Sequence, residues 1–275
     1  MNNQYVKYQR GSEDESHLHY GLGVVTLTRP DALNAINVEM AGELSAVMDE
    51  IYHDNSIRCV LLKAEGRFFM AGGDLPRFAE PIRNQDEPAL MNEIRELIEY
   101  AHEAIRWMRY MYKPVVGLVT GGAAGYGLSL MLACDFIVTH EDAVFTLAYS
   151  GLGTSPDGGA TFFLPRLVGT RKAAELIMLS DRFTGAEAAE MGIVNQAVPK
   201  DQLQTTVDKL LDRLLDGPTF SYGKSKMLVN NSLYTSLSDQ LEAEAQSFRA
   251  CAFTEDFKEG ITAFVDKRKP DFKGS

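Results

Sequence analysis

The stretch that decides the fold is Pro-Val-Val-Gly-Leu-Val-Thr-Gly-Gly-Ala-Ala-Gly-Tyr-Gly-Leu-Ser-Leu-Met-Leu-Ala, residues 114–133. Its first six residues are apolar and predict a buried strand. A glycine-rich turn follows from Gly121 to Gly127, and the apolar run 128–133 predicts a buried helix. A turn between a strand and a helix presents unpaired backbone N–H groups at the positive end of the helix dipole. The stretch therefore predicts an α/β protein in which this turn is suited to a negatively charged atom.

A second turn of the same kind lies earlier, at Met70-Ala71-Gly72-Gly73-Asp74, after an apolar segment at 59–63. Neither turn has the dinucleotide fingerprint Gly-x-Gly-x-x-Gly with a later acidic partner, and residues 121–127 lack the Gly-Lys-Ser/Thr ending of a P-loop. For one such turn alone, the alternative is a tight turn without a ligand. Two N–H groups from separate turns that converge on one oxygen would form an oxyanion hole, which serves reactions in which a carbonyl oxygen gains negative charge.

The rest of the chain repeats the order strand, turn and helix, which is typical of α/β architecture. Strands are predicted at residues 23–28, 59–63, 136–139, 143–147 and 193–198. A helix from Asn37, its N-cap, to His53 is predicted, whereas residues 81–92 are predicted to form a mobile acidic loop that leads into a second helix. We predict a core domain over residues 1–199 and a helical region for subunit association over 200–275. In that region we expect a partner subunit to bury four leucines: Leu210, Leu211, Leu214 and Leu215.

The bulk composition limits the possible partners. The 275 residues carry a formal net charge of −11 without a visible basic face, so we expect no nucleic-acid partner. Cys59 and Cys134 lie in apolar runs, which predicts buried, reduced thiols. Because no run reaches the length of a membrane span and residues 1–17 show no leader pattern, we expect a cytoplasmic chain without a membrane partner. The histidines and cysteines form no metal-ligand pattern, so we expect no metal.

Five segments, in order along the chain, resemble motifs of the enoyl-CoA hydratase/isomerase (crotonase) family. They are residues 26–35 (TLTRPDALNA), 69–75 (FMAGGDL), 113–135 (from KPV to CD), 184–194 (TGAEAAEMGIV) and 259–268 (EGITAFVDKR). The resemblance covers almost the whole chain. It implies a spiral of repeated β-β-α turns, a C-terminal helical trimerisation region and a homotrimer or a dimer of trimers. It also implies an acyl-coenzyme A (acyl-CoA) thioester as substrate, with coenzyme A as part of that substrate and no separate cofactor.

The resemblance also assigns roles to individual residues. It implies that the backbone N–H groups of Gly73 and Tyr126 are the two oxyanion donors, with the tyrosine in place of a frequent glycine of the family. The positions that it assigns to coenzyme A contact are Arg29, Ala32, Leu33, Ala35, Ala71, Asp74, Leu75 and Lys267, with Arg268 beside the last. Two alternatives stay open: Asp74 caps the following helix, and Lys267 lies at a solvated helix end.

The resemblance further bears on the reaction. Hydratases of the family use two glutamates to handle one water, and the matching positions here hold Ser129 and Tyr149, neither of which is a carboxylate base. The loop Pro156-Asp157-Gly158-Gly159 resembles that of double-bond-shifting isomerases, including those of phenylacetate breakdown. It implies that Asp157 is the base that moves a proton along the acyl chain. The alternative is that Asp157 caps a helix that begins near Gly158.

Three other activities stay open from the sequence. They are a hydratase-like lyase, a dehalogenase of halogenated acyl-CoA in which Asp157 is the nucleophile, and a catalytically degenerate scaffold that only binds acyl-CoA. Hydrogen–deuterium exchange at the carbon next to the thioester separates an enzyme from a scaffold. Other titratable groups are expected to be solvated: His17, His19, His140 and Glu141.

Overall fold

The largest element of the fold is a six-stranded sheet. The computed structural model describes residues 4–11 and 20–274, so the predictions for His17 and His19 lie outside the described residues. The strand order of the sheet is β1-β2-β3-β4-β6-β9. Its strands are β1 (Val6–Arg10), β2 (Leu22–Leu27), β3 (Cys59–Ala64), β4 (Val115–Val119), β6 (Phe136–His140) and β9 (Gln196–Val198). All neighbours run parallel except β1 and β2, which run antiparallel.

A smaller layer lies beside this sheet. It contains the strands β5 (Gly122–Ala124), β7 (Val144–Thr146) and β8 (Phe183–Thr184). Two isolated bridges, Ile36 with Gly73 and Met70 with Ala123, add pairing of the same kind outside the named strands. The chain therefore passes from a strand of the large sheet to a strand or bridge of the small layer and then to a helix, which is the predicted β-β-α repeat.

Ten α-helices are described. They are α1 (Val38–His53), α2 (Leu75–Arg83), α3 (Glu87–Tyr110), α4 (Tyr126–Leu132), α5 (Ala160–Leu179), α6 (Gly185–Glu190), α7 (Leu203–Leu215), α8 (Thr219–Asn231), α9 (Leu237–Ala252) and α10 (Glu255–Asp266). The predicted cap of α1 is present, because Asn37 Oδ1 accepts a hydrogen bond of 3.0 Å from Met40 N. The predicted loop over 81–92 is wrong. Pro81 lies inside α2, which continues for only two residues after it, and Asp86 caps α3 through Ala89 N at 3.0 Å.

The large sheet is buried on both faces, which explains why its strands read as continuous apolar runs. One face packs with α1, α3 and α4 in the main core, through residues such as Val25, Leu62 and Val119. The other face presents Val24, Leu61, Val116, Leu118 and Val138 to α7. Both thiols predicted to be buried, Cys59 and Cys134, are buried and free.

The expectation that a partner subunit buries the leucines of α7 is wrong. Leu211, Leu214 and Leu215 are buried within the chain against the outer face of the sheet, and Leu210 packs against the same cluster. An amphipathic helix shows only that one face needs apolar cover, so its pattern is the same whether a sheet or another subunit supplies it. The division at residue 199 stays a prediction, although α7 packs directly on the core.

A buried ionic cluster joins α8 to the core. Lys226 Nζ lies 2.7 Å from Asp135 Oδ2 and donates to Met108 O at 2.6 Å. Asp135 Oδ2 also accepts from Val115 N at 2.9 Å. Burial lowers the pKa of Lys226, and the charge of Asp135 opposes that shift. The aspartate of the Cys-Asp motif therefore ties β4 and α8 together. Within residues 4–11 and 20–274, no helix is long and apolar enough to cross a membrane.

Candidate active site

The two glycine turns lie against each other. Phe69 N donates to Gly122 O at 3.1 Å, and Ala124 N donates to Met70 O at 2.9 Å. A Cβ built on Gly127 would lie 2.2 Å from Met70 O, far closer than real atoms approach, so only glycine fits there. Gly72 and Gly125 also pack closely, since a Cβ on Gly125 would lie 3.6 Å from Gly72 Cα. Glycines thus let the two backbones approach to a distance that any side chain would prevent.

The N–H groups of Gly73 and Tyr126 lie at these turns. Gly73 forms an isolated β-bridge with Ile36. In this bridge the carbonyl of Ile36 accepts a hydrogen bond of 2.9 Å from Asp74 N, and the N–H of Gly73 is not used. Tyr126 is the first residue of α4, where a helix leaves its N–H groups without internal acceptors. In the described parts of the chain, neither N–H has a protein acceptor. The pair is therefore available for an oxygen that gains negative charge.

The side chain of Tyr126 turns away from the glycines into the core. It is 4% exposed, and its hydroxyl donates to Ala101 O of α3 at 2.9 Å. Burial raises the pKa of this phenol, so the group stays neutral. The tyrosine that departs from the family pattern thus anchors the second turn to α3.

Four positions assigned to coenzyme A meet at the first turn. Leu33 and Asn34 both have positive φ, of 50° and 54°, and this strained turn directs the chain toward residues 71–74. Ala71 N donates to Leu33 O at 3.0 Å, and Ile36 N donates to Gly72 O at 2.7 Å. Asn34 fixes the turn from inside, since its Nδ2 donates to Phe68 O at 2.8 Å. The assigned positions brought together in this way are Ala32, Leu33, Ala35 and Ala71.

Arg29 and Asp74, also assigned to coenzyme A, bind each other. Arg29 NH2 lies 2.7 Å from Asp74 Oδ2, and both side chains are mostly buried. Arg29 NH1 donates to Ala35 O as well. Asp74 holds the N-cap position of α2 but makes no side-chain capping bond, so its carboxylate serves the ion pair instead. The pair joins the segment around residue 29 to the first glycine turn.

Leu75 and Lys267 lie apart from this cluster in different ways. Leu75 follows Asp74 directly and is largely exposed at the start of α2. Lys267 is exposed at the end of α10 with a φ of 55°. No hydrogen bond or ion pair in the described ranges joins Lys267 to either glycine turn. Its neighbour Arg268 is held by Glu259 through two bonds of 2.6 and 2.7 Å.

Asp157 contacts Tyr149, one of the two positions at which the family's hydratases carry glutamate, and Tyr149 in turn neighbours the other, Ser129. Tyr149 OH donates to Asp157 Oδ1 at 2.7 Å, and Ser129 Oγ lies 3.5 Å from Tyr149 OH. Burial raises the pKa of Tyr149, and the charge of Asp157 raises it further, so the phenol is a neutral donor. Helix α5 begins after Gly159 and has no side-chain cap, so Asp157 does not act as its N-cap.

The backbone around Asp157 is held from two helices. His102 of α3 makes a hydrogen bond between its Nε2 and Asp157 O. Gly158 packs against α4, because a Cβ there would lie 2.6 Å from Ser129 Cβ and 2.7 Å from the ring of Tyr126. Sequence reasoning missed the contacts of His102 and Tyr149 with Asp157. Tyr149 stands eight residues before the aspartate, but nothing in the sequence marks His102 on an amphipathic helix.

His140 is a further correction to the sequence analysis. It was expected to be solvated, yet it is 8% exposed at the end of β6, whereas Glu141 is exposed as expected. Gly121 N donates to His140 Nε2 at 2.9 Å, so the ring is neutral with its proton on Nδ1. Within the described residues, no group of three His, Cys, Asp or Glu side chains could hold a metal ion.

A layered α/β spiral with two abutting glycine turns defines a crotonase-fold protein. The family model for enoyl-CoA hydratase/isomerase matches residues 18–275, and the chain belongs to that family. It is 35% identical over 260 residues to 1,2-epoxyphenylacetyl-CoA isomerase of Escherichia coli (strain K12), which covers 94% of this chain and 97% of that protein. It is also 32% identical over 252 residues to crotonyl-CoA hydratase of Syntrophomonas wolfei, with coverages of 91% and 94%.

Solved structures agree with the fold. A putative enoyl-CoA hydratase/isomerase from Mycobacterium abscessus superimposes with a TM-score of 0.89 at 29% identity, covering 98% of this chain and all of that one. An enoyl-CoA hydratase from Polaromonas sp. JS666 gives a TM-score of 0.86 at 30% identity, covering 98% and 99%. The predicted crotonase-like fold is confirmed, and the family acts on acyl-CoA thioesters. Because relatives of similar identity carry both isomerase and hydratase names, the comparisons leave the reaction open.

Proposed function

We propose that this protein is an enoyl-CoA isomerase that shifts a double bond along an acyl-CoA thioester. Asp157 is the base, and the N–H groups of Gly73 and Tyr126 bind the thioester oxygen. The observation that carries the proposal is the contact of Asp157 Oδ1 with Tyr149 OH, which itself neighbours Ser129. The carboxylate of Asp157 therefore lies near the positions at which hydratases of the family carry two glutamates. It is one carboxylate where those enzymes have two.

The chemistry follows from this arrangement. Asp157 removes a proton from a carbon of the acyl chain, and the electron pair moves through the conjugated system to the thioester oxygen. The two N–H groups stabilise the resulting enolate, and each such donor contributes about 3 kcal/mol in comparable sites. Asp157 then returns the proton to a different carbon, which moves the double bond without a net gain or loss of atoms. No cofactor is needed beyond the coenzyme A that the substrate carries.

Hydration is disfavoured for a geometric reason. Two carboxylates that share one water need a gap between them, whereas Ser129 Oγ and Tyr149 OH lie 3.5 Å apart and Tyr149 OH lies 2.7 Å from Asp157. Tyr149 therefore contacts both neighbours, Asp157 and Ser129. We place coenzyme A binding at the first glycine turn, where the segments that contain Leu33 and Ala71 meet. Because the thiols of Cys59 and Cys134 are free, we place the reaction in the cytoplasm.

A second copy of the chain is part of the same proposal. Helix α9 has no buried residue, and the exposed apolar side chains of the last three helices include Leu237, Phe248, Phe253, Ile261 and Phe264. Water-exposed phenylalanines in this number are typical of a subunit interface. The family resemblance favours a homotrimer or a dimer of trimers.

The first test replaces the base. Asp157→Asn keeps the size of the side chain but removes its basicity, so the isomerase rate should fall by about 10²-fold or more while acyl-CoA binding persists. A panel of straight-chain and aromatic-derived enoyl-CoA thioesters is assayed for double-bond shift, hydration and exchange of deuterium next to the thioester. The matched control is Asp201→Asn, which changes an exposed aspartate just before α7 and should retain the full rate.

Each remaining activity gives a different result in this assay. A scaffold catalyses no exchange with any thioester, and a hydratase adds water faster than it shifts the double bond. In a dehalogenase, the Asp157 carboxylate displaces halide from the ring of a halogenated aromatic thioester and forms a covalent aryl ester, visible by mass spectrometry. Near-full isomerase activity in Asp157→Asn would show that the base lies elsewhere.

A further inference from the structure

The two oxygens of the Asp157 carboxylate have different surroundings. Oδ1 accepts a hydrogen bond of 2.7 Å from Tyr149 OH, whereas Oδ2 has no protein donor among the described residues. We propose that Tyr149 is a positioning residue that holds Oδ1 and thereby makes Oδ2 the oxygen that exchanges protons with the substrate. This inference rests on the proposed role of Asp157 as the base. It adds a residue whose side chain is neither a base nor an oxyanion donor.

Tyr149 is suited to this role because its hydroxyl can act only as a donor toward the carboxylate of Asp157. Its side chain is 7% exposed, and burial raises the pKa of the phenol, so the hydroxyl keeps its proton throughout the pH range of catalysis. The hydroxyl oxygen of Tyr149 can also accept a hydrogen bond, and Ser129 Oγ lies 3.5 Å from it. The ring is fixed by packing in the main core. A neutral donor on a rigid ring stabilises the ionised carboxylate in one orientation.

The backbone contacts of Asp157 support the same conclusion. His102 binds the carbonyl of Asp157, and Gly158 fills the narrow space between Ser129 and Tyr126. The main chain is therefore held by α3 and α4, and only the rotation of the carboxylate remains to be set. Tyr149 sets it, since its hydroxyl contacts one oxygen and not the other. A base that serves two carbons in turn gains from such fixation, because both transfers need the same oxygen in reach.

Removal of the Tyr149 hydroxyl should change both the pH dependence and the rate of the isomerase reaction. Tyr149→Phe leaves the ring but takes away the hydroxyl that donates to Asp157 Oδ1. The acidic limb of the kcat/KM profile for the isomerase reaction should move upward by about one pH unit, which corresponds to the strength of one hydrogen bond to a charge. The loss of orientation should lower kcat by about tenfold at optimal pH while KM changes little.

A second substitution tests the opposite direction. Site-specific replacement of Tyr149 by 3-fluorotyrosine keeps the ring and strengthens the phenol as a donor, so the acidic limb should move to lower pH. The matched control is Tyr234→Phe, whose hydroxyl accepts from Arg166 at 2.7 Å and does not contact Asp157. Urea unfolding of each variant checks that the fold is retained. A merely structural tyrosine would change stability without moving the pH limb.

The outcomes separate this inference from the proposed function. If Asp157→Asn is inactive and both Tyr149 variants show the pH profile of the unchanged protein, Tyr149 does not hold the base and the inference is overturned. If Asp157→Asn stays active, the proposed base is wrong, whatever Tyr149 does. Opposite shifts of the acidic limb in the phenylalanine and fluorotyrosine variants, with no shift in Tyr234→Phe, support the inference.

Discussion

The glycine turns are packed tightly against neighbouring backbone, whereas the last two helices leave aromatic side chains exposed. At the turns, Gly121, Gly122 and Gly127 lie so close to neighbouring backbone that an added Cβ would sit between 1.8 and 2.2 Å from a carbonyl oxygen. In the last two helices, Phe253 and Phe264 are 85% and 84% exposed within a single chain. The turns are completed by contacts inside the chain, whereas these helices lack the surface that would cover their aromatic rings.

The C-terminal region contains both helices that are covered within the chain and helices that are not. Helix α7 is buried against the sheet, and α8 is tied to the core by Lys226 and Asp135. Helices α9 and α10, by contrast, leave large apolar side chains such as Leu237 and Phe264 uncovered. The difference indicates that a substitution in the turns should act on the folding of one chain, and one in the last helices should act on association.

The largest effect is expected at Gly127. Gly127→Ala places a methyl group 2.2 Å from Met70 O, so the two glycine turns must separate. Overpacking of this kind against backbone should lower the free energy of unfolding by about 3 kcal/mol. Urea denaturation followed by circular dichroism measures the change.

Gly151→Ala is the control for this experiment. Gly151 lies in an exposed 3₁₀ turn (Ser150–Leu152), and an added Cβ meets nothing within 4 Å. Its unfolding free energy should stay within about 0.5 kcal/mol of the unchanged chain. Equal stability of the two variants would mean that the turns are not as closely packed as the structure has them.

An effect on assembly is expected from the last helices. The double substitution Phe253→Glu and Phe264→Glu places charges on the uncovered face, so the proposed oligomer should dissociate. Because both rings are exposed in the single chain, the free energy of unfolding of the separated chain should change by less than about 0.5 kcal/mol. Size-exclusion chromatography with light scattering gives the mass of the assembly.

Met91→Glu serves as the comparison, since Met91 is a similarly exposed apolar residue on α3. It should leave the mass of the assembly unchanged. A stable monomer of the unchanged chain at micromolar concentration would contradict the proposed oligomer directly.

The smallest effect is expected at His140, which supports the second glycine turn through Gly121 N. Burial lowers the pKa of His140 below 6.5, and the charge of Lys200 lowers it further against the opposing effect of Asp142. A base with a lowered pKa in the folded state binds its proton more readily when unfolded. Its stabilisation is therefore present above pH 6.5 and is lost as the pH falls through the folded-state pKa.

The variant His140→Gln keeps an acceptor for Gly121 N but does not titrate. Between pH 7.5 and 5.5, the unchanged chain should lose on the order of 1 kcal/mol more stability than the variant. Thermal or urea unfolding at several pH values measures the difference. An equal slope in His140→Gln would rule out this histidine as the cause.

Sequence reasoning was most accurate where local chemistry sets the structure. The cap at Asn37 and the apolar strands were predicted because a short polar side chain before a helix and a continuous apolar run have few other structures. It failed at residues 81–92, where a proline and several charges suggested a loop. A proline in the last turns of a helix removes only one hydrogen bond, and α2 ends two residues after it.

At the candidate site, too, the sequence predicted some features and missed others. The glycines of both turns and Asp157 could be singled out from the order of motifs along the chain. The pairing of Asp157 with Tyr149 and His102 could not, because hydrogen bonds between distant elements depend on how α3 packs beside the loop at 156–159. The same holds for Arg29 and Asp74, which are 45 residues apart and meet only when the first turn closes.

The sequence by itself determined the parallel strands of the large sheet, the two glycine turns and the family, because apolar runs and glycine-rich turns are local features of the chain. It did not predict β1, β5 or β8. Tertiary structure decided which faces are covered and which groups meet. The leucines of α7 and the phenylalanines of α9 and α10 are alike as patterns, yet the sheet buries the first and leaves the second exposed. Burial depends on the surface opposite a helix, and that surface is made by residues far away in the chain.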